Sequence, residues 1–288
     1  EIELKTGRVE VLVRQGGWTF DAPRYSPDGQ RIAFVAANQG LKHTMPDQLA
    51  VWHRRGGRWA VESAEWDHEV HAPLHWEDDG SALLFGAEQQ GRQHLWRFDL
   101  ADRRAEVVVR GGWLQGFDKA AGTLVTLADA VDHPPRLTAH LPGQAARRIE
   151  SFNDALFAGL ALGRTEETWV RGALGDEVQV WLTYPPGFDP KKPKAKAPLL
   201  HLIHGGPHTA FGDAWHFRWN VQAFAAQGYV VAAVNYHGSS SFGFAFKDSI
   251  THRWGELELQ DVEAATTALL KRPWADKRRV FASGGSYG

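Results

Sequence analysis

The chain has 288 residues, 43% of them hydrophobic and 23% charged, a composition ordinary for a folded protein that excludes disorder as the default state. Thirty-two basic residues stand against 34 acidic ones, a formal charge of -2, so no global field points to nucleic acid or an anionic membrane as a partner. No apolar run approaches the roughly 20 residues of a membrane helix, and EIELKTGRVE at the start lacks the basic-then-apolar pattern of a signal peptide. The absence of cysteine rules out disulfides and thiolate metal sites and fits a reducing, cytoplasmic compartment.

The first half reads as short strands punctuated by glycine turns. In RYSPDGQRIAFVA (24 to 36) a Pro27-Asp28-Gly29 turn feeds a strand in which Ile32, Phe34 and Ala36 share one face. HWEDDGSALLFGA (75 to 87) repeats the arrangement, with Asp78-Asp79-Gly80 ahead of Leu83, Leu84 and Phe85. FDKAAGTLVTLAD (117 to 129) is a weaker third copy, with Gly122 ahead of Leu124 and Leu127. Each copy leads to a further apolar strand and turn, in QLAVWHRRGGRWAV, HLWRFDLADRRAEVVV and PRLTAHLPGQAARRI. Such units at a period of about 40 to 50 residues predict propeller blades, which stack radially because one four-stranded sheet cannot bury both faces alone. Residues 1–165 are therefore expected to form a partial β-propeller of about three blades, with EIELKTGRVEVLV as the outer end of a fourth. Most of the 13 tryptophans are assigned to blade cores.

Residues 166–288 change character. VQVWLTY (178 to 184) precedes a Pro-Pro-Gly turn and DPKKPKAKAP (189 to 198), whose prolines and brevity favour an exposed hairpin loop over a nucleic-acid site. PLLHLIH (198 to 204), YVVAAVN (229 to 235) and RVFAS (279 to 283) have the continuous apolar pattern of strands buried on both faces. Between them a helix is expected around HFRWNVQAFAAQG (216 to 228), closing on Gly228. Another is expected in GELELQDVEAATTALLKR, where Val262, Ala265, Thr266, Leu269 and Leu270 fall on one face. Strands alternating with helices predict a parallel α/β sheet.

The chemistry is concentrated in two glycine-rich stretches. Gly284-Gly285-Ser286-Tyr287-Gly288 has the G-x-S-x-G spacing that places a nucleophilic serine on a tight strand-to-helix turn. His204-Gly205-Gly206-Pro207 follows an earlier strand, where such hydrolases keep a donor for the oxyanion. The expected donors are the N–H groups of Gly206 and Tyr287, with Gly205 as the fallback for the first. In α/β-hydrolases the acid and base follow the serine along the chain, but only Tyr287 and Gly288 follow Ser286, so the triad reads as incomplete. An upstream base such as His204, His208, His216, His237 or His252 runs against that order. A metal site built from His201, His204 and His208 is disfavoured, because strand residues three apart face opposite ways; neither a metal nor another cofactor is called for.

YSPDGQRIAF-type blades together with YPPGFD, HLIHGGPH, NYHGSSSFGFAF, RWGELELQDVEAA and GGSYG resemble the prolyl oligopeptidase family of serine peptidases. HGGP and GGSYG are most similar to its acylaminoacyl peptidase and dipeptidyl peptidase 5 branch. The resemblance covers nearly the whole chain. It implies a β-propeller followed by the N-terminal part of an α/β-hydrolase domain, an active site admitting short peptides or accessible chain ends, and acylation of Ser286. It also implies homo-oligomeric assembly as a means of limiting access. One departure is His237, where family members commonly carry arginine. The expectation is a serine exopeptidase present as a fragment, its catalytic Asp and His on a missing C-terminal segment, inactive and poorly folded by itself. The alternatives are a carboxylesterase-like hydrolase and a propeller-based binding protein with a relic hydrolase domain.

Overall fold

Turn chemistry and strand periodicity work together from the first blade onward. The computed structural model describes residues 1–288. The strands β1 (Thr19–Tyr25), β2 (Arg31–Ala37), β3 (Gln48–His53) and β4 (Arg58–Val61) form an antiparallel sheet in chain order. Between β1 and β2, Gly29 takes φ 67° while Asp28 Oδ1 accepts the Gln30 N–H at 3.0 Å, so the chain reverses at the expected turn. The pleat of β2 then sends Ile32, Phe34 and Ala36 into a cluster with Phe20, Trp52 and Trp59. Ala33 and Val35 enter a second cluster on the opposite face. That double burial explains why β2 is apolar along almost its whole length.

The partner in the second cluster is the sheet of β5 (His71–Trp76), β6 (Ala82–Glu88), β7 (Gln93–Asp99) and β8 (Arg104–Val109). Its core holds Phe85, Trp96 and Phe98, with Trp66 packed edge-on to Phe85 at 5.6 Å and to Trp96 at 5.2 Å. A third antiparallel set contains β9 (Trp113–Ala120), β10 (Thr123–Ala130), β11 (His133–His140) and the two-residue β12 (Arg147–Arg148). Three antiparallel four-strand sets therefore follow the repeats, the second and third continuing into one eight-stranded sheet through a single parallel pair, Gln93 with Trp113. The opening residues make a single bridge, Ile2 to Val9, and turn back at Gly7.

The chain divides into two compact units, residues 1–87 with 95–110, and residues 88–94 with 111–288. The expected division at 165/166 lies inside the second unit, which holds the third blade sheet as well as the α/β sheet. A short helix α1 (Asp154–Phe157) precedes β13 (Thr165–Arg171), a 3-10 turn over Ala173–Gly175, β14 (Glu177–Thr183) and β15 (Ala197–Ile203). Then follow α2 (Val221–Ala225), β16 (Val230–Asn235), α3 (Phe244–Asp248), α4 (Leu257–Leu269) and β17 (Ala275–Gly284). The sheet order is β13-β14-β16-β15-β17, with β15 parallel to both β16 and β17 and the β13–β14 hairpin antiparallel. The three predicted strands are thus the parallel ones, but only β15 and β16 are buried as expected: β17 is the edge strand of the sheet, paired on one side alone, and its Val280 and Phe281 are exposed. The lysine-bearing loop after Asp189 is exposed, and no helix is long and apolar enough to cross a membrane.

Helix α4 has the predicted face. Ala265 and Leu269 lie in a core with Leu182, Leu199, Val234 and Trp274, and Val262 and Leu270 pack beside them. The expected helix over 216–228 shrinks to Val221–Ala225, capped by Asn220, whose Oδ1 accepts the Gln222 N–H at 2.9 Å. Ahead of it, His216 Nδ1 accepts the N–H groups of Arg218 and Trp219, which closes a local turn in place of a helical start.

Periodicity also missed an acid on the buried side of α4. Asp261 is fully buried and accepts the Ala173 N–H at 2.7 Å, the His237 N–H at 2.6 Å and His237 Nδ1 at 2.7 Å. His237 Nε2 lies 3.2 Å from Asp176 Oδ2, and its ring stacks on Phe246. The His237 ring thus lies between two acidic side chains. Burial pulls the His237 pKa down, but the hydrogen bond and charge of Asp261, then those of Asp176, outweigh it and hold the value above the usual one. A proton bound more tightly in the folded state stabilises fully below the unfolded pKa, about 6.5, and that contribution fades as pH rises through the folded value. Urea midpoints measured at increasing pH are expected to fall from about pH 6.5 upward, and His237→Gln is expected to remove that part of the slope.

Candidate active site

Strands β15 and β17 run side by side and end together, with Ile203 opposite Gly284. The HGGP loop and the GGSYG elbow therefore leave the same carboxyl edge of the parallel strands, where open α/β sheets bind ligands. Ser286 sits at φ 60°, a left-handed conformation that costs a non-glycine residue about 1–2 kcal/mol, and its side chain is exposed.

Close approach explains the glycines around it. A Cβ on Gly284 would run into the Gly288 carbonyl, and one on Gly288 into the Ile203 carbonyl. A Cβ on Gly285 would lie 2.8 Å from the Trp219 ring. Across the gap, a Cβ on Gly205 would lie 3.0 Å from the Gly285 oxygen and 3.1 Å from Ser286 Cβ. The N–H groups of Gly206 and Tyr287 donate to no acceptor within the protein, and neither does that of Gly205. Ser286, Gly205 and Gly206 share a cavity of about 610 Å³, which Phe211, Arg218 and Trp219 also line. The Tyr287 side chain is drawn away, donating its hydroxyl to Glu258, and burial together with that bond pushes its pKa up to about 12.

The nearby histidines are committed elsewhere. His204 stacks on Tyr236 at 4.1 Å; its Nε2 lies 2.9 Å from Ser239 Oγ and its Nδ1 2.9 Å from the Gly205 oxygen. Burial drives His204 down to about 4, so it stays neutral near pH 7. His201 is likewise pushed down to about 4 by burial and meets Thr266 on α4 at 2.9 Å. His208 Nδ1 meets the Gly238 oxygen at 2.9 Å. His201, His204 and His208 thus have separate partners, and none of them, nor His216, His237 or His252, is hydrogen-bonded to Ser286 Oγ. They shape the loops.

A residue that holds the chain just after HGGP gave little signal in the sequence. Asn235, wholly buried at the end of β16, accepts the Phe211 N–H at 2.7 Å and donates to the Phe211 oxygen at 2.8 Å and to Gln179 Oε1 at 2.7 Å. A polar residue closing an otherwise apolar strand was the only hint of it.

Residues 215–288 match the model of the prolyl oligopeptidase family. Dipeptidyl-peptidase 5 of Porphyromonas gingivalis is 27% identical over 99% of this chain, and that of Aspergillus fumigatus 30% identical over 93%. The chain spans 41% and 38% of their respective lengths. The structure of Pyrococcus horikoshii acylaminoacyl peptidase superimposes with a TM-score of 0.82 over 98% of this chain and 43% of that one, at 24% identity, which bears on fold alone. Residues 215–288 are recognised as prolyl oligopeptidase family sequence, and the chain is similar to dipeptidyl-peptidase 5 over nearly its whole length and to acylaminoacyl peptidase in fold.

Proposed function

We propose that the whole protein is a serine peptidase that hydrolyses short peptides through an acyl-enzyme, acting at chain ends, with Ser286 as nucleophile. The observation that carries this reading is the strained, exposed Ser286 facing a glycine loop across a shared cavity. In the proposed sequence Ser286 Oγ attacks the scissile carbonyl carbon, and the developing oxyanion accepts hydrogen bonds from the Gly206 and Tyr287 N–H groups. Each such donor contributes about 10²–10³ in kcat where it has been removed from comparable sites. Collapse expels the amine and leaves an ester on Ser286, which water then hydrolyses.

The serine proton needs an acceptor, and no histidine here is in place to take it. We assign the acid and base to sequence following Ser286 in the whole protein, as the order in α/β-hydrolases requires. The 288-residue chain alone is accordingly expected to be inactive on peptides. Blade sheets ahead of the hydrolase sheet favour peptides over simple esters, since a propeller can restrict access to short chains.

A fluorophosphonate is expected to label the whole protein at Ser286. Ser286→Ala should abolish labelling and reduce peptide hydrolysis by at least about 10⁴-fold; an unlabelled whole protein would refute the assignment. Faster turnover of nitrophenyl esters than of peptide anilides would favour the esterase reading instead. Gly205→Ala, whose new methyl crowds Ser286, is expected to slow labelling by about 10²-fold with an unchanged circular dichroism spectrum.

A further inference from the structure

The loop after HGGP has a second face. Phe211, His216 and Trp219 line the serine cavity on one side and a separate cavity of about 290 Å³ on the other. Trp113, Trp181 and Trp215 complete its aromatic walls, and Asp129 from β10 lines it while only 2% exposed. Asp129 Oδ1 accepts the Trp215 N–H at 3.1 Å, and its other oxygen accepts the Gln115 side-chain amide.

Those donors are neutral, and no lysine or arginine pairs with Asp129. The charged or titratable neighbours are His133, which favours the carboxylate, Asp213, which opposes it, and exposed His216 on the cavity wall. Burial pushes the Asp129 carboxyl up to about 6, with the hydrogen bonds from Trp215 and Gln115 pulling the other way. Near neutral pH the cavity therefore holds a carboxylate without a counterion, an arrangement that proteins ordinarily avoid by pairing the charge. Holding Trp215 in place does not account for it, because a neutral amide would accept the same N–H. Indole faces attract cations, and apolar walls suit the methylene stem that lysine and arginine bury behind their charged heads.

We propose that this cavity is a subsite for a basic side chain, lysine or arginine, of the peptide substrate, with Asp129 as its counterion and the indoles around its stem. An N-terminal ammonium has no stem and fits those walls less well. The proposal rests on the peptidase reading for its biological meaning, but binding tests it without turnover.

The experiment is a tryptophan-fluorescence titration of the whole protein carrying Ser286→Ala. Its ligands are acetyl-alanyl-lysine amide, the norleucine analogue of that peptide, and unacetylated alanyl-norleucine amide. The lysine peptide is expected to bind about tenfold or more tightly than its norleucine analogue, and that preference should decline as pH falls through about 6. Asp129→Asn, which keeps an acceptor for Trp215, should shrink the preference to within about twofold. Equal affinities, a preference that survives in Asp129→Asn, no binding of the lysine peptide at millimolar concentration, or an equal gain from the free N-terminus would overturn the proposal. If Asp129→Asn does not fold, the pH series is run on the Ser286→Ala protein carrying His216→Gln as well: a lysine preference that still declines through about pH 6 supports Asp129 as counterion, and one that no longer depends on pH overturns it. Fluorophosphonate labelling of the protein with Ser286 intact reports on the peptidase reading separately.

Discussion

The two hydrogen bonds between Asn235 and the backbone of Phe211 set the geometry at the carboxyl edge of the sheet. An amide side chain that accepts from an N–H and donates to the C=O of the same residue copies the pairing of a neighbouring strand. A loop with no strand partner is thereby held as if it had one. The next residue, Tyr236, donates its hydroxyl to the His204 oxygen at 2.6 Å and stacks on the His204 ring. Consecutive residues at and just after the end of β16 thus hold both sides of the glycine pair.

Burial makes these contacts firm. Asn235 sits at the end of a strand buried throughout, so an unmet polar atom there would cost about 1–3 kcal/mol. Its hydrogen bond to Gln179 is continued by Gln179 Nε2, which donates to the Gln90 oxygen at 2.9 Å. A chain of satisfied amides therefore runs from the turn at residues 88–94 to the loop beside the serine cavity. Two buried acids in the same unit meet the desolvation problem differently. Asp261 is matched by the His237 ring and two backbone donors, and accordingly reads as scaffold. Asp129 has neutral donors alone, which leaves its charge available to something else.

What could be read from the residues was whatever is encoded locally. The alternation of Ile32, Phe34 and Ala36, the Pro27-Asp28-Gly29 turn, the face of α4 and the three parallel strands all follow from periods and turn preferences acting over a few residues. The elbow and the HGGP loop were legible for a related reason, since glycine at a fixed position records a backbone constraint. What escaped is non-local. Asp261 binds Ala173 across 88 residues, Asp129 binds Trp215 across 86, and Asn235 binds Phe211 across 24. No period announces such pairs. A local side-chain bond shortened the helix expected over 216–228, because His216 Nδ1 takes the N–H groups of Arg218 and Trp219 while the preceding residue, Trp215, is tied to Asp129.

The elbow glycines are better understood as marks of proximity than of flexibility. Each one faces a particular neighbour: Gly284 the Gly288 carbonyl, Gly288 the Ile203 carbonyl, Gly285 the Trp219 ring. Two of those neighbours belong to β15 and the loop after it, so the motif on β17 has meaning only while β15 lies alongside. The pairing from Leu199–Val280 to Ile203–Gly284 supplies that condition and offsets the left-handed strain at Ser286. Ser286 and the HGGP loop are therefore one structural unit built from two adjacent strand ends. A change that loosens the strand pairing would relax Ser286 and separate it from Gly205 in the same step.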